Sequence, residues 1–162
     1  MDWLEVDTSN CSVQRTLDIV GDRWSLLILR EAFNGVRRFD DIAQHLRISQ
    51  SVLARRLRGL VDASILERSA YRGAGTRTRY EYRLTERGMA LFPVITGLMQ
   101  WGDRYLADEQ GGSWNVHHRE CGRPVEVVVR CTADLEPLDP LHTRTSPGPS
   151  ARPVNAHGNG AI

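Results

Sequence analysis

The 162-residue sequence predicts a small, mainly α-helical protein carrying one β-hairpin. Three observations support that prediction. Apolar residues recur at helical spacing in five segments between Val13 and Leu106. Two runs of β-formers, Leu66–Tyr71 and Arg79–Leu84, flank a glycine-bearing loop. Residues 37–87 hold 12 Arg against six acids, whereas the rest of the chain holds 9 Arg against 14 acids. A basic block of this kind, in a chain whose net charge is only +1, attracts a polyanion from a distance.

Composition narrows the class further. With 41% hydrophobic and 25% charged residues the chain is expected to be globular. Apolar runs such as Leu26–Leu29 and Val127–Val129 fall far short of the ~20 residues a membrane span needs. The start of the sequence lacks the basic and apolar stretches of a secretory signal, so a cytoplasmic location without membrane contact is expected. Cys11, Cys121 and Cys131 make an odd count that reads as reduced thiols or ligands.

Each element has a local reason. Val13, Leu17 and Val20 share a helical face, and Gly21 stops that run. Asp22 is placed to cap a second helix, 23–34, whose centre is apolar on nearly all sides and so wants burial on more than one face. Asn34-Gly35 ends it in a turn. A short extended piece, 37–39, leads to Asp40, the expected cap of a third helix running to about Leu46. Ser49 caps a fourth, 50–63, in which Leu53, Leu57, Leu60 and Val61 fall within one arc about 100° wide. Ser51, Val52, Arg55, Arg56 and Arg58 lie outside that arc. After the hairpin, Thr85 is expected to cap one long helix to about Leu106.

That last helix is apolar around about half its circumference, more than a single core stripe requires. The surplus predicts a partner, most simply a second copy held through Leu91, Ile95, Leu98, Trp101 and Tyr105. Three regions follow: a main domain over 1–110, a small hairpin extension over 111–138 built from 114–119 and 125–130, and a proline-rich tail over 139–162 expected to be disordered.

Helix, helix, short strand, helix, helix, hairpin, helix, with the basic block on the fourth helix and hairpin, is the order of a winged helix-turn-helix. A helix about 10–12 Å across fits the major groove of B-DNA, and a hairpin beside it lies along the neighbouring backbone. Double-stranded DNA is therefore the expected partner. Arg55 is best placed to meet a base, while Arg56 and Arg58 flank it toward phosphates. The alternative is an interaction module, metal- or thiol-dependent, whose basic face docks an acidic protein.

Particular motifs sharpen this. Cys11, Leu17-Asp-Ile-Val-Gly-Asp-Arg-Trp24-Ser-Leu-Leu-Ile-Leu-Arg-Glu31, Arg38-Phe-Asp-Asp-Ile42, Ile48-Ser-Gln-Ser-Val-Leu-Ala-Arg-Arg-Leu-Arg-Gly-Leu60, Glu81-Tyr-Arg-Leu-Thr85 and Trp101-Gly102 follow one another in order. Over about residues 11–102 the chain closely resembles bacterial transcriptional regulators of the HxlR type. The resemblance implies a homodimer that reads a near-palindromic operator and represses or activates nearby genes, often in response to an electrophile, oxidant or small metabolite. It places Ser49, Gln50, Ser51 and Arg55 at the start of the recognition helix, Arg38 before the supporting helix, and Arg77 and Arg79 on the wing. Ser51 stands where relatives commonly carry Lys, and Ala54 where they carry a polar residue, so an operator sequence does not transfer.

Cys11 occupies the place of a sensing thiol in several relatives, just before a helix whose N-terminal partial charge favours thiolate. The plainer reading is a small apolar residue at a seam. His118, Cys121, Cys131 and Asp134 have spacings that a zinc site could use, but Asp134 replaces the thiolate that a zinc-ribbon-like extension would carry. No metal or cofactor is expected. Trp24 and Trp101 are candidates to wall an effector cavity, or to be plain core. No His stands in a recognisable pairing with a nucleophile on the core, and phosphate or dinucleotide loops are missing, so no enzymatic activity is expected.

Overall fold

The computed structural model describes residues 2–72 and 78–154. Its helices are α1 (Ser12–Val20), α2 (Arg23–Phe33), α3 (Phe39–Leu46), α4 (Gln50–Asp62), α5 (Glu86–Met89) and α6 (Phe92–Tyr105), and its strands are β1 (Leu66–Arg72) and β2 (Thr78–Leu84). The chain divides into two compact units, Val20–Val127 and Met1–Ile19 with Val128–Ile162.

In the unit Val20–Val127, Ile28 and Leu29 of α2, Ile42 of α3, and Leu53, Leu57 and Leu60 of α4 close on Ile65 and Leu66 at the start of the hairpin, all of them buried. Each such side chain contributes about 1.5–3 kcal/mol on removal from water. The strands pair antiparallel from Leu66 opposite Leu84 to Arg72 opposite Thr78. Three caps set the helix starts. The Asp22 carboxylate accepts the N–H groups of Trp24 and Ser25, at 3.0 and 3.2 Å. The Ser49 hydroxyl accepts from Val52 N–H, and the Thr85 hydroxyl accepts from Gly88 N–H while donating to the Ser64 carbonyl.

Two helix boundaries differ from expectation in this unit. The cap of α3 is Arg38, with Asp40 and Asp41 inside the first turn, where the positive end of the helix dipole favours them. Arg37 and Arg38 are held in extended form by β2: Tyr82 N–H donates to the Arg37 carbonyl at 2.8 Å, and Arg38 bridges to Glu81. The single long helix is two. Pro93 has no N–H for the Met89 carbonyl and its ring obstructs that turn, so α5 stops at Met89. The chain restarts as α6 with Leu91 as cap and proline in the first turn.

The expected hairpin of 114–119 with 125–130 is instead two tight turns. In this unit His117 bridges Pro124, Val125 N–H bonds the Val116 carbonyl, and the Gln100 amide fastens the segment by donating to the Val125 carbonyl and accepting from Val127 N–H. In the other unit Arg130 bridges Pro137 and Leu138 N–H bonds the Val129 carbonyl. A proline at each bridge supplies no N–H, so neither ladder extends.

In that second unit Val13 and Leu17, which share the apolar face of α1, are exposed. The tail expected to be disordered from 139 contains a 3-10 turn at Pro140–His142, and Val6 bridges Pro153 between two backbone hydrogen bonds of 2.8 Å. Those contacts join residues 5–7 to 152–154 within this unit. Residues 155–162 lie outside the described residues.

Candidate nucleic-acid interface

The helix-turn-helix is built by α3, a three-residue turn and α4. Arg47 closes α3 in the left-handed conformation at φ 50°, with its N–H on the Gln44 carbonyl. Ile48 then turns inward and is buried, while its N–H bonds the Ala43 carbonyl. Ser49 caps α4 immediately after. The turn is thus fixed by one buried side chain and one cap, which sets where α4 begins.

Burial of Leu53, Leu57 and Leu60 turns Gln50, Ser51, Arg55 and Arg58 to solvent. Among the described residues neither Arg55 nor Arg58 forms an ion pair. Ser49 and Ser51 hydroxyls lie 3.3 Å apart at the head of the helix. On the hairpin, alternation puts Tyr71, Arg79, Glu81 and Arg83 on one face. Arg38 joins that face with its guanidinium 5.1 Å from the Tyr71 ring, and Arg79 is exposed. Arg83 is engaged by Glu81 at 2.7 Å. Arg77 lies outside the described residues.

Arg56 does not share the outward role expected of it. Its guanidinium reaches back to Asp22 at 3.0 Å and is half-buried there, tying α4 to the start of α2. Helical spacing shows which residues leave the core stripe, but not that a carboxylate from another helix waits beside one of them. Sequence reasoning also missed a polar cluster under the supporting helix. Glu31 is buried, and its carboxylate receives Arg30 at 2.6 Å and His45 of α3 at 2.6 Å. The remaining signal, a lone Glu within an apolar helix run, does not name its partners.

On α6, Val94, Leu98, Trp101 and Tyr105 form an exposed ridge, with Trp101 and Tyr105 rings 5.4 Å apart. Leu91 and Ile95, expected on the same surface, are half-buried. A half-open cleft of about 690 Å³ lies between α4 and the hairpin, lined in part by Ala54, Arg58, Val61, Leu66, Arg68 and Tyr82; neither Trp24 nor Trp101 lines it.

Cys11 is half-buried at the end of a 3-10 turn, Thr8–Asn10, one residue before α1. All three thiols are free. His118 Nδ1 lies 3.1 Å from Cys121 Sγ, and Cys131 Sγ accepts from Ala133 N–H at 3.5 Å. Among the described residues no three His, Cys, Asp or Glu side chains stand together as a metal-ligand group. No described helix is long and apolar enough to cross a membrane.

A helix with an outward Arg face, seated on a supporting helix and flanked by a hairpin, defines a winged helix-turn-helix regulator. Comparison with known proteins reaches the same class. The model of the HxlR-like helix-turn-helix family matches residues 19–110, and the chain belongs to that family. It is 44% identical over 138 residues to the uncharacterized HTH-type transcriptional regulator Rv3095 of Mycobacterium tuberculosis (strain H37Rv), covering 85% of this chain and 86% of that protein. The crystal structure of PA1607 superposes with a TM-score of 0.74 at 37% identity, over 85% of this chain and 95% of that one. The redox regulator HypR in its oxidized form is similar with a TM-score of 0.54 at 28% identity, over 60% of this chain and 100% of that one. This chain is a transcriptional regulator of the HxlR-like type, which decides against the docking-module alternative.

The Arg56–Asp22 pair yields a pH prediction. Partial burial pushes the Asp22 carboxyl up, but the Ser25 hydroxyl and N–H, the Arg56 guanidinium and the Trp24 N–H outweigh it and hold the group below the ordinary aspartate value of 3.8. Its stabilisation is therefore full above about pH 4 and is lost as pH falls through the lower folded value. At pH 7 Asp22→Asn should lower stability by roughly 0.5–1 kcal/mol. Thermal melts at pH 7 and pH 3 should show the gap to wild type narrowing in acid; an unchanged gap contradicts the assignment.

Proposed function

We propose that this regulator is a homodimer that reads a near-palindromic operator in double-stranded DNA, acting in the cytoplasm. The observation that carries the reading is the face of α4: three leucines fixed in the core leave Gln50, Ser51, Arg55 and Arg58 presented together beside a hairpin that carries exposed Arg79. Gln50, Ser51 and Arg55 meet base edges near the helix start, where the major groove distinguishes all four pairs. Ser49 acts as the cap that aims them. Arg38, Arg58 and the wing arginines Arg77 and Arg79 meet phosphates, supplying affinity with little sequence information. Arg56 serves α4 from within the protein through Asp22.

The exposed ridge Val94, Leu98, Trp101 and Tyr105 supports the second copy, with Leu91 and Ile95 at its inner edge. A two-fold dimer presents two copies of α4 to half-sites about one helical turn apart. For the effector, Cys11 is the sensor thiol of this reading: it stands just before α1, and the similarity to the redox regulator HypR supports a thiol switch. Treating wild type and Cys11→Ser with diamide tests that role through operator binding, the variant alone being expected to stay unresponsive.

Fluorescence anisotropy on operator DNA tests the reading head. Arg55→Ala should cost about 1–3 kcal/mol against operator and relax specificity at one position. Arg79→Ala should weaken binding to every sequence and reduce the salt slope by about 0.9. Unchanged operator affinity in Arg55→Ala means that the wrong face of α4 has been assigned.

Assembly is tested by sedimentation. Leu98→Asp puts a charge at the centre of the ridge and should convert the dimer to monomer. The helix should remain folded, because Leu98 is 51% exposed within the chain. A folded wild-type monomer at micromolar concentration overturns the dimer.

A further inference from the structure

We propose that Glu31 and His45 are a positioning pair for DNA recognition, setting the angle at which α4 meets the groove. The inference rests on the reading of α4 given above. Glu31 lies on α2 and its side chain is only 2% exposed, yet it is a carboxylate in a core whose other buried residues are aliphatic or, at Ser25 and Thr96, neutral. Burying such a group is costly unless both oxygens are engaged. Both are. One oxygen receives Arg30, its neighbour in sequence, through Nε at 3.1 Å and Nη2 at 2.6 Å. The other reaches across to α3 and meets His45 Nδ1 at 2.6 Å.

The two contacts differ in consequence. Arg30 neutralises the carboxylate within α2 and fixes no geometry between elements. His45 sits in the last turn of α3, so its contact pins the end of the supporting helix to α2. Only Arg47, Ile48 and Ser49 separate α3 from α4. The turn through them is held by the inward Ile48, so displacement of the end of α3 passes directly to the first turn of α4. That first turn carries Gln50 and Ser51. Apolar packing alone resists separation of α2 and α3 but tolerates sliding; a short charge-assisted hydrogen bond to a buried anchor is directional and does not.

His45 is also the half of the pair that can be removed without leaving a hole. Its side chain is 68% exposed, so truncation admits water to the freed Glu31 oxygen. Misaiming α4 should weaken base contacts and spare phosphate contacts, because the former need closer geometry. A purely structural residue would instead lower specific and non-specific binding together as the fold is lost.

The experiment measures operator and random-sequence DNA binding at one salt concentration for wild type, His45→Ala, His45→Gln and Glu31→Gln, with thermal melts alongside. His45→Ala should lose about tenfold in operator affinity with less than twofold change on random DNA. His45→Gln, whose amide can donate to the same oxygen, should recover most of that loss. In the Glu31→Gln background, His45→Ala should have little further effect on the operator-to-random ratio. Should Glu31→Gln not fold, the two His45 variants decide the matter. Equal operator and random losses, or an unaltered operator affinity, overturn the pair. A wild type that itself shows no preference for operator over random DNA counts against the reading of α4, and with it the proposal.

Discussion

The aliphatic stripe Leu53, Leu57 and Leu60 is the constraint on which the DNA-binding unit depends. These side chains are buried to within 1% of full occlusion, and each would forfeit several kcal/mol if truncated in a core of this density. A helix pinned along one stripe has no freedom to rotate about its axis. Everything opposite the stripe is then assigned to solvent by helical geometry, which places Arg55 and Arg58 outward whatever their neighbours are. The recognition face is a by-product of packing, and its chemistry is free to vary without disturbing the core.

Two polar contacts complete what the stripe begins. Rotation is blocked by the leucines, but translation and tilt of α4 are limited by ties at its two sides. Arg56 reaches Asp22, which also caps α2, so one carboxylate starts one helix and anchors another. At the other side α3 carries the turn into α4 and is itself held by Glu31. The hairpin adds a further support through Arg37 and Arg38, whose extended backbone joins β2 just before α3 begins. Within the basic block Arg56 and Arg83 are engaged inside the protein, by Asp22 and Glu81.

Much of this is legible in the sequence where the cause is local. Asp22, Ser49 and Thr85 announce helix starts because capping involves the next two or three residues only. The leucine stripe of α4 and the hairpin follow from periodicity. What escapes is either competition between rules or contact between distant residues. A run of apolar spacing from Leu91 to Leu106 hides the break at Pro93, since periodicity outweighed the missing N–H. Asp40 looks like a cap, yet β2 holds Arg37 and Arg38 extended and the start of α3 falls two residues earlier. The Arg56–Asp22 and Glu31–His45 pairs join residues 34 and 14 positions apart, and no pattern in a single sequence matches such partners. Val13 and Leu17 share a helical face without being buried, because amphipathic spacing states what a helix could bury, not that something covers it.

In the proposed dimer, α4 and the hairpin act together as one reading head, presented twice. Hydroxyl-radical footprinting of the DNA flanking the protein's own gene tests it most directly. Two protected segments are expected on one face of the duplex, about one helical turn apart. Both should disappear together with Arg55→Ala at a concentration where wild type protects fully. A single protected segment, or protection that Arg55→Ala leaves intact, would contradict it.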